Sequence, residues 1–207
     1  MNNFTGLSIG YVMTGSFCTF ERCFEQAKRL RELGAKLIPV MSERASTVST
    51  RFGTNSENIK RLSEICTHEV ITDISAAEPI GPKDMTDIMV IAPCTSNTAA
   101  KLTAGITDSA ATMAVKSHLR SGKPVVLAIA SNDSPMGSAK NIGELFNRKN
   151  YYFVPMLQDD IEKKPASLVA EFELIPETVD AALKGIQLRP IIHHSENWKM
   201  YKESNKK

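Results

Sequence analysis

The segment 92–108, APCTSNTAAKLTAGITD, constrains the fold more than any other part of the chain. The preceding residues 88–91 are continuously apolar, which is typical of a strand covered on both faces. From Ser96 onward the apolar residues recur at helical spacing, and Asp108 is predicted to cap the next helix. A polar loop between a buried strand and a helix is where doubly wound α/β folds bind ligands. We therefore predict a three-layer α/β/α, Rossmann-like domain with a parallel sheet.

The flanking sequence repeats this order of strand, loop and helix. Residues 7–13 and 35–40 predict strands on either side of a helix over residues 20–33, which is the βαβ unit that parallel strands require. The same order recurs over residues 125–147. Because the loops after parallel strands meet at one edge of the sheet, we expect them to form a single ligand site.

Composition limits the chain to a few classes. With 207 residues, 42% of them hydrophobic, it can bury one core, and we assign residues 1–186 to a single domain and residues 187–207 to a tail. The 25 basic and 23 acidic residues leave a net charge of +2, which is not the electrostatic footprint of a nucleic-acid-binding protein. No apolar run approaches the roughly 20 residues of a membrane span. We expect a cytoplasmic protein.

Metal binding is not expected. The four cysteines lack the spacing of a zinc ribbon or of a disulfide framework. His193 and His194 are adjacent, but they have no second ligand group near them in sequence. Trp198, in the polar tail, either docks on a neighbouring subunit or covers an apolar patch of its own domain.

The turn Thr14-Gly15-Ser16 has two interpretations. Backbone N–H groups at a helix N-terminus, together with hydroxyls and a glycine, form an anion site that is typically used for phosphate. The alternative is an ordinary tight turn with a Ser or Thr cap. Ser42, just beyond the second predicted strand, is a second hydroxyl of the same site or an N-cap, and the two roles are compatible.

Three cations and one thiol near the predicted loops are further candidates. Lys101, Arg44 and Lys140 either pair with a carboxylate of a ligand or are solvated. Cys94 stands beside a predicted helix N-terminus, which lowers a thiol pKa and favours a nucleophile. No histidine is close to Cys94 in sequence, so packing is the favoured interpretation.

Three segments resemble the flavoprotein family that includes cysteine-peptide decarboxylases, phosphopantothenoylcysteine decarboxylases and prenylated-flavin synthases. Residues 9–20 resemble the family's first phosphate loop, and residues 135–145 resemble a segment that follows a later strand. The most specific match is to the family's Pro-Ala-Ser-Ala-Asn-Thr segment, which stands here as Pro93-Cys94-Thr95-Ser96-Asn97-Thr98, followed by Ala100-Lys101-Leu102, Gly105 and Asp108.

The resemblance implies an FMN cofactor. Its phosphate would be held by Thr14, Gly15, Ser16 and Ser42. The polar edge of its ring would face the loop formed by Pro93, Thr95, Ser96, Asn97 and Thr98. The resemblance also implies a homo-oligomer, a trimer or a dodecamer, in which a neighbouring subunit completes the pocket. It identifies no catalytic residue.

Within the family, the chain is most similar, in the sequence of both loops and in its length near 200 residues, to one subunit of a two-subunit enzyme of spore-forming bacteria. This implies an oxidoreductase subunit in the cytoplasm of the sporulating mother cell. Together with a nicotinamide-binding partner subunit, through which NADP would enter, it would convert a small dicarboxylate of the lysine pathway into an aromatic dicarboxylate. The alternative is a non-catalytic, nucleotide-binding partner subunit.

An FMN-dependent decarboxylase is a third possibility, and the sequence departs from its pattern. Those relatives carry a histidine in the helix after the second strand, whereas residues 43–53 here contain none. Their Met-Asn-x-x-Met-Trp clamp is reduced to Pro135-Met136. Asn132 or a neighbour replaces an arginine of the prenyl-transferring relatives.

Overall fold

The computed structural model describes residues 3–158, 160 and 162–193. Strands and helices alternate over most of this length, as predicted. In chain order the elements are β1 (Ser8–Met13), α1 (Phe20–Glu32), β2 (Lys36–Met41), α2 (Glu43–Thr47), α3 (Asn55–Cys66), α4 (Ile74–Ala77), β3 (Ile88–Cys94), α5 (Ser96–Ala104), α6 (Ala110–Leu119), β4 (Val125–Ser131), α7 (Ala139–Phe146), β5 (Tyr151–Phe153), β6 (Met156–Leu157), β7 (Leu168–Ala170) and α8 (Ile175–Leu183).

The sheet is mixed rather than wholly parallel. Strands β2, β1, β3, β4 and β5 are neighbours in that order and pair in parallel. Past the β5 pairing, the end of β4 at Ala130 and Ser131 pairs antiparallel with β7, and β7 pairs antiparallel with β6. The sequence did not predict β6 and β7, because strands of two or three residues carry no measurable alternation of apolar and polar positions.

Helices cover both faces of the sheet, which confirms the predicted three layers. The chain moves from β1 to β2 in one direction and from β3 to β4 in the other. Because parallel crossovers are right-handed, α1 lies on one face and the α5–α6 pair on the opposite face. Helix α8 packs against α1, and α4 packs against α6.

The core is built from β3 and β4, every residue of which is buried. This explains why both strands are continuously apolar in sequence. Tyr11, fully buried in β1, donates a hydrogen bond of 2.6 Å from its hydroxyl to the Cys23 carbonyl of α1. Burial and the hydrogen bond together fix this helix on the sheet.

The beginning of the predicted tail contacts the domain. The Gln187 side chain donates to the Phe153 carbonyl at 2.7 Å and accepts from the Phe153 amide at 2.8 Å. The Met156 amide donates to the Ile191 carbonyl, also at 2.8 Å. His194 and Trp198 lie outside the described residues. Among the helices of the described segments, none has the length and apolar character needed to cross a membrane.

Candidate anion and nucleotide site

The candidate site lies where the strand order reverses. β1 and β3 are adjacent, yet the chain leaves β1 toward β2 on one side and β3 toward β4 on the other. The loops after these two strands therefore diverge and leave a crevice at the carboxyl edge of the sheet. Sheets with the order 2-1-3-4-5 bind FMN at this position in flavodoxin-type folds.

Thr14 joins the two loops that border the crevice. It is 1% exposed, and its hydroxyl donates to the Pro93 carbonyl at 2.7 Å and accepts from the Thr95 amide at 3.1 Å. A hydroxyl carries one hydrogen, so this one is not available to a phosphate. Thr14 and Pro93, both predicted to contact the cofactor, are absent from the lining of the pocket described below and hold the β1 and β3 loops at a fixed spacing.

A pocket of about 430 Å³ occupies the crevice. It brings together polar groups from three parts of the chain that are far apart in sequence: the loop after β1, the loop after β2, and the segment from Thr95 to Ser109. Its lining comprises Gly15, Ser42, Glu43, Arg44, Thr95, Asn97, Thr98, Lys101 and Ser109. Five of these, Gly15, Ser42, Thr95, Asn97 and Thr98, are residues that the sequence assigned to the cofactor site.

Three helices begin at this pocket, and their cap residues line it: Ser42 caps α2, as the sequence allowed, and Thr95 and Ser109 cap α5 and α6. Thr95 caps α5, where its hydroxyl accepts from the Thr98 amide at 3.2 Å, and Ser109 caps α6 in a capping box with Thr112. The unpaired amides and the helix dipole make each N-terminus favourable for an anion. The sequence patterns did not identify Ser109, because its capping box has Thr112 where the usual signature has Glu or Gln.

Asp108 does not cap α6, contrary to the prediction. Its carboxylate accepts two hydrogen bonds from Lys101, at 2.7 and 2.8 Å, and this lysine lowers the pKa of the Asp108 carboxyl. The positive charge of Lys101 is thereby largely balanced. Arg44, in contrast, has no hydrogen bond or ion pair from its guanidinium to the described part of the chain. Arg44 is therefore the lining cation that is free to meet an anionic ligand.

Ser96 and Ser16 do not line the pocket. Ser96 lies on the opposite side of the α5 N-terminus, where its hydroxyl is 2.7 Å from the Asp133 carboxylate. The Ser16 hydroxyl is 3.9 Å from the sulfur of Cys18. Lys140, one of the predicted cations, is also absent from the lining. Thr95, Asn97 and Thr98 therefore line the pocket, whereas Ser96 lies on the other side of the α5 N-terminus, although these residues are consecutive in sequence.

Cys94 is a packing residue. It is fully buried, and burial raises the pKa of its thiol to about 12. A thiol with such a pKa is protonated at neutral pH, so it is not an activated nucleophile. The interpretation favoured from the sequence agrees with this environment.

The donor set fits a phosphate group. Hydroxyls of Ser42, Thr95 and Ser109 stand beside helix N-termini, and the Arg44 guanidinium supplies an opposite charge. Phosphate prefers this combination of amides, hydroxyls and arginine. Among the described residues, no group of three or more His, Cys, Asp or Glu is arranged to hold a metal ion.

Comparison with known proteins identifies the family of this chain. The family model described as Flavoprotein matches residues 2–184. The dipicolinate synthase B subunit of Bacillus subtilis (strain 168) is 42% identical over 192 residues, covering 93% of this chain and 96% of the relative. The crystal structure of the dipicolinate synthase B subunit from Bacillus halodurans superimposes with a TM-score of 0.85 at 43% identity, covering 92% of this chain and 98% of that one.

A more distant structure shares the fold alone. The dodecameric FMN-dependent Ubix-like decarboxylase from Escherichia coli O157:H7 has a TM-score of 0.59 at 22% identity, covering 72% of this chain and 80% of that one. The resemblance recognised in the loop sequences is confirmed by the family match and by the two close relatives. The chain belongs to the flavoprotein family, in which it is similar to dipicolinate synthase B subunits.

Proposed function

We propose that the chain acts as the B subunit of a dipicolinate synthase. With a separate nicotinamide-binding A subunit, it would form dipicolinate from a dihydrodipicolinate-type intermediate of the lysine pathway in the mother cell of a sporulating bacterium. The observation that carries the proposal is the 42% identity to the B. subtilis protein over 93% of the chain.

FMN is the proposed cofactor. Its phosphate would be held by Gly15, Ser42 and Arg44, and by the α5 N-terminus with Thr95 and Thr98, all of which line the pocket. Asn97, in the same lining, would contact the adjoining part of the cofactor. Support for this assignment comes from the donor set and from the position at the β1/β3 reversal.

The residues of this chain are proposed to bind and orient rather than to transfer protons. FMN, when bound, supplies two-electron redox chemistry. No histidine or cysteine belongs to the pocket lining in the described segments. We therefore propose that this chain holds the phosphate and the ring of FMN, and that the A subunit binds NADP.

A non-catalytic B subunit is the second candidate. The lining that lacks a histidine or cysteine also suits a subunit that binds a nucleotide only to support the product site of the A subunit. The two candidates differ in whether the bound flavin changes its oxidation state during turnover.

The assembly is proposed to be a homo-oligomer, a trimer or a dodecamer, with residues 1–186 as one domain and residues 187–207 as a tail. The pocket is open at the carboxyl edge of the sheet, so a neighbouring subunit is expected to cover it. The dodecameric E. coli protein provides a precedent for such an assembly on this fold.

The test is a flavin titration followed by reconstitution. We expect the purified chain to bind FMN, to bind riboflavin more weakly, and to form the aromatic product only when the A subunit and the dicarboxylate precursor are added. Bleaching of the flavin absorbance during turnover would favour the redox subunit over the non-catalytic one. A chain that binds no FMN would contradict the cofactor assignment, and release of carbon dioxide from a cysteine-terminated peptide would favour a decarboxylase instead.

A further inference from the structure

A single carboxylate oxygen organises the side of α5 that faces away from the pocket. Oδ1 of Asp133 accepts hydrogen bonds from the hydroxyls of Ser96 at 2.7 Å, Ser131 at 2.7 Å and Ser138 at 2.9 Å. These serines belong to the first turn of α5, to the end of β4 and to the cap position of α7. Asp133 therefore joins three separate segments at the carboxyl edge of the sheet.

The direction of these hydrogen bonds follows from the charge of the carboxylate. The three hydroxyls lower the pKa of the Asp133 carboxyl, with Ser131 contributing most, so it is ionised at neutral pH. An ionised carboxylate only accepts hydrogen bonds, and a serine hydroxyl has one hydrogen. The hydrogen of Ser96 is therefore directed at Asp133 and away from the cleft.

Ser96 consequently presents oxygen lone pairs rather than a donor. Its neighbour Ser131 is in hydrogen-bond contact with both Ser96 and Asp133, so with the Ser96 hydrogen on Asp133 the single Ser131 hydrogen is shared between these two acceptors, and one lone pair of Ser96 remains free. On the pocket side of the same helix, by contrast, backbone amides and Arg44 offer donors. A ligand that spans the α5 N-terminus meets donors on one side and acceptors on the other.

We propose that Asp133 is a positioning residue for the candidate site, which acts through Ser96 to make this side of the cleft an acceptor for the ring N–H of the bound flavin. The inference rests on the proposed function, because it takes the phosphate side of the pocket as the anchor of that cofactor. Asp133 itself need not touch the ligand. Its effect is to hold the Ser96 hydroxyl in one orientation.

A double-mutant cycle on FMN affinity tests this coupling. We expect Asp133→Asn and Ser96→Ala each to weaken FMN binding about tenfold, the equivalent of about 1.4 kcal/mol. The double variant is expected to bind about as well as either single variant: the neutral amide of Asp133→Asn also offers a donor and no longer fixes the Ser96 hydrogen, and Ser96→Ala removes the same hydroxyl. A loss of about a hundredfold in the double variant would mean independent effects and would overturn the proposal.

Ser138→Ala is the matched control. It removes one donor to the same Asp133 oxygen without touching Ser96, so FMN affinity should stay within about twofold. If Asp133→Asn does not fold, the contrast between Ser96→Ala and Ser138→Ala carries the test. Equal losses in these two variants would overturn the proposal, since a general loosening of the loop would then explain both.

FMN methylated at the ring N–H provides a readout that a purely structural role would not change. In wild type the methylated flavin should bind about tenfold more weakly than FMN, and Asp133→Asn should remove that difference. A difference that persists in Asp133→Asn overturns the role of Ser96 as acceptor. Wild type that binds neither flavin contradicts the proposed function itself, whereas FMN binding with no coupling contradicts only this inference.

Discussion

The two sides of the α5 N-terminus have opposite electrostatic character although the residues that form them are consecutive. On the β1 side, Thr95 and Thr98 line a pocket with the unpaired cation Arg44. On the β4 side, Ser96 is bound to the carboxylate of Asp133. Strands β1 and β4 lie on either side of β3, and two spacings of about 4.8 Å place them about 10 Å apart, which one extended ligand can span. The proposed cofactor FMN would match this difference, because it carries an anionic phosphate at one end and a hydrogen-bond donor on its ring at the other.

Loss of the Thr14 hydroxyl, which joins the loops after β1 and β3, should have the largest effect on stability. Thr14→Val removes the buried hydroxyl that bonds to Pro93 and Thr95 and leaves the part-buried Thr95 amide without this partner, which costs about 1–2 kcal/mol of unfolding free energy. Urea denaturation measures the loss. Thr14→Ser keeps the hydroxyl and should retain most of the stability; an equal loss in both variants would assign the effect to the methyl group.

Removing Arg44 should weaken binding of the phosphate without affecting binding of the ring, and this distinguishes the two sides of the α5 N-terminus. Arg44→Ala is expected to weaken FMN binding about thirtyfold, since a hydrogen bond to a charged group contributes about 2 kcal/mol. Riboflavin, which lacks the phosphate, should bind the variant and wild type equally. Calorimetric titration of both flavins provides the measurement, and Lys140→Ala, outside the pocket lining, is the control. An equal loss for riboflavin would contradict a phosphate contact.

The cap of α6 contributes to stability and to the anion site. Ser109→Ala should lower the unfolding free energy by about 1 kcal/mol, because the Thr112 amide loses its partner. FMN affinity should fall by a smaller factor than in Arg44→Ala. Ser109→Asp keeps a cap acceptor but adds a negative charge, so it should retain stability and lose FMN affinity. If both variants bind FMN like wild type, Ser109 does not contact the phosphate.

Removing the negative charge that is paired with Lys101 should slightly increase FMN affinity. In Asp108→Asn, Lys101 loses the negative charge with which it is paired, and FMN affinity at low salt should rise about twofold. The gain should disappear at high salt, because exposed charges are screened. Lys101→Gln is the matched opposite change and should weaken binding. Tighter binding that is independent of salt would contradict an electrostatic origin.

The contribution of the Asp133 carboxylate to stability should be lost at acid pH. The hydroxyls of Ser131, Ser96 and Ser138 lower the pKa of this carboxyl in the folded protein. The stabilisation is therefore complete above the ordinary aspartate pKa and is lost as the pH falls below about 4, through the folded-state pKa. Asp133→Asn lacks this stabilisation at every pH. The difference in unfolding free energy between wild type and the variant should therefore become smaller as the pH falls through that range. A difference that does not vary with pH would mean that the carboxylate is not ionised in the native state.

The order of the elements was predictable because local patterns specify it. The continuous apolar run at 88–91, the helical spacing after Ser96 and the loop motif at 93–98 each depend on neighbours in sequence. They were sufficient for the α/β layers, for the family and for most of the residues around the pocket. Strands β6 and β7 were not predictable, because so short a strand forms only where the end of β4 offers unpaired backbone groups.

The sequence by itself determined that a polar loop follows a buried strand and that Thr95, Asn97 and Thr98 belong to it. Only the tertiary structure decided which direction each polar group faces. Thr14 is bound between two loops, Ser96 is turned toward Asp133, and Lys101 is paired with Asp108, whereas Arg44 is left free. The physical reason is that a side chain's hydrogen bonds and charge partners come from segments distant in the chain, and these are adjacent only after the strands have paired.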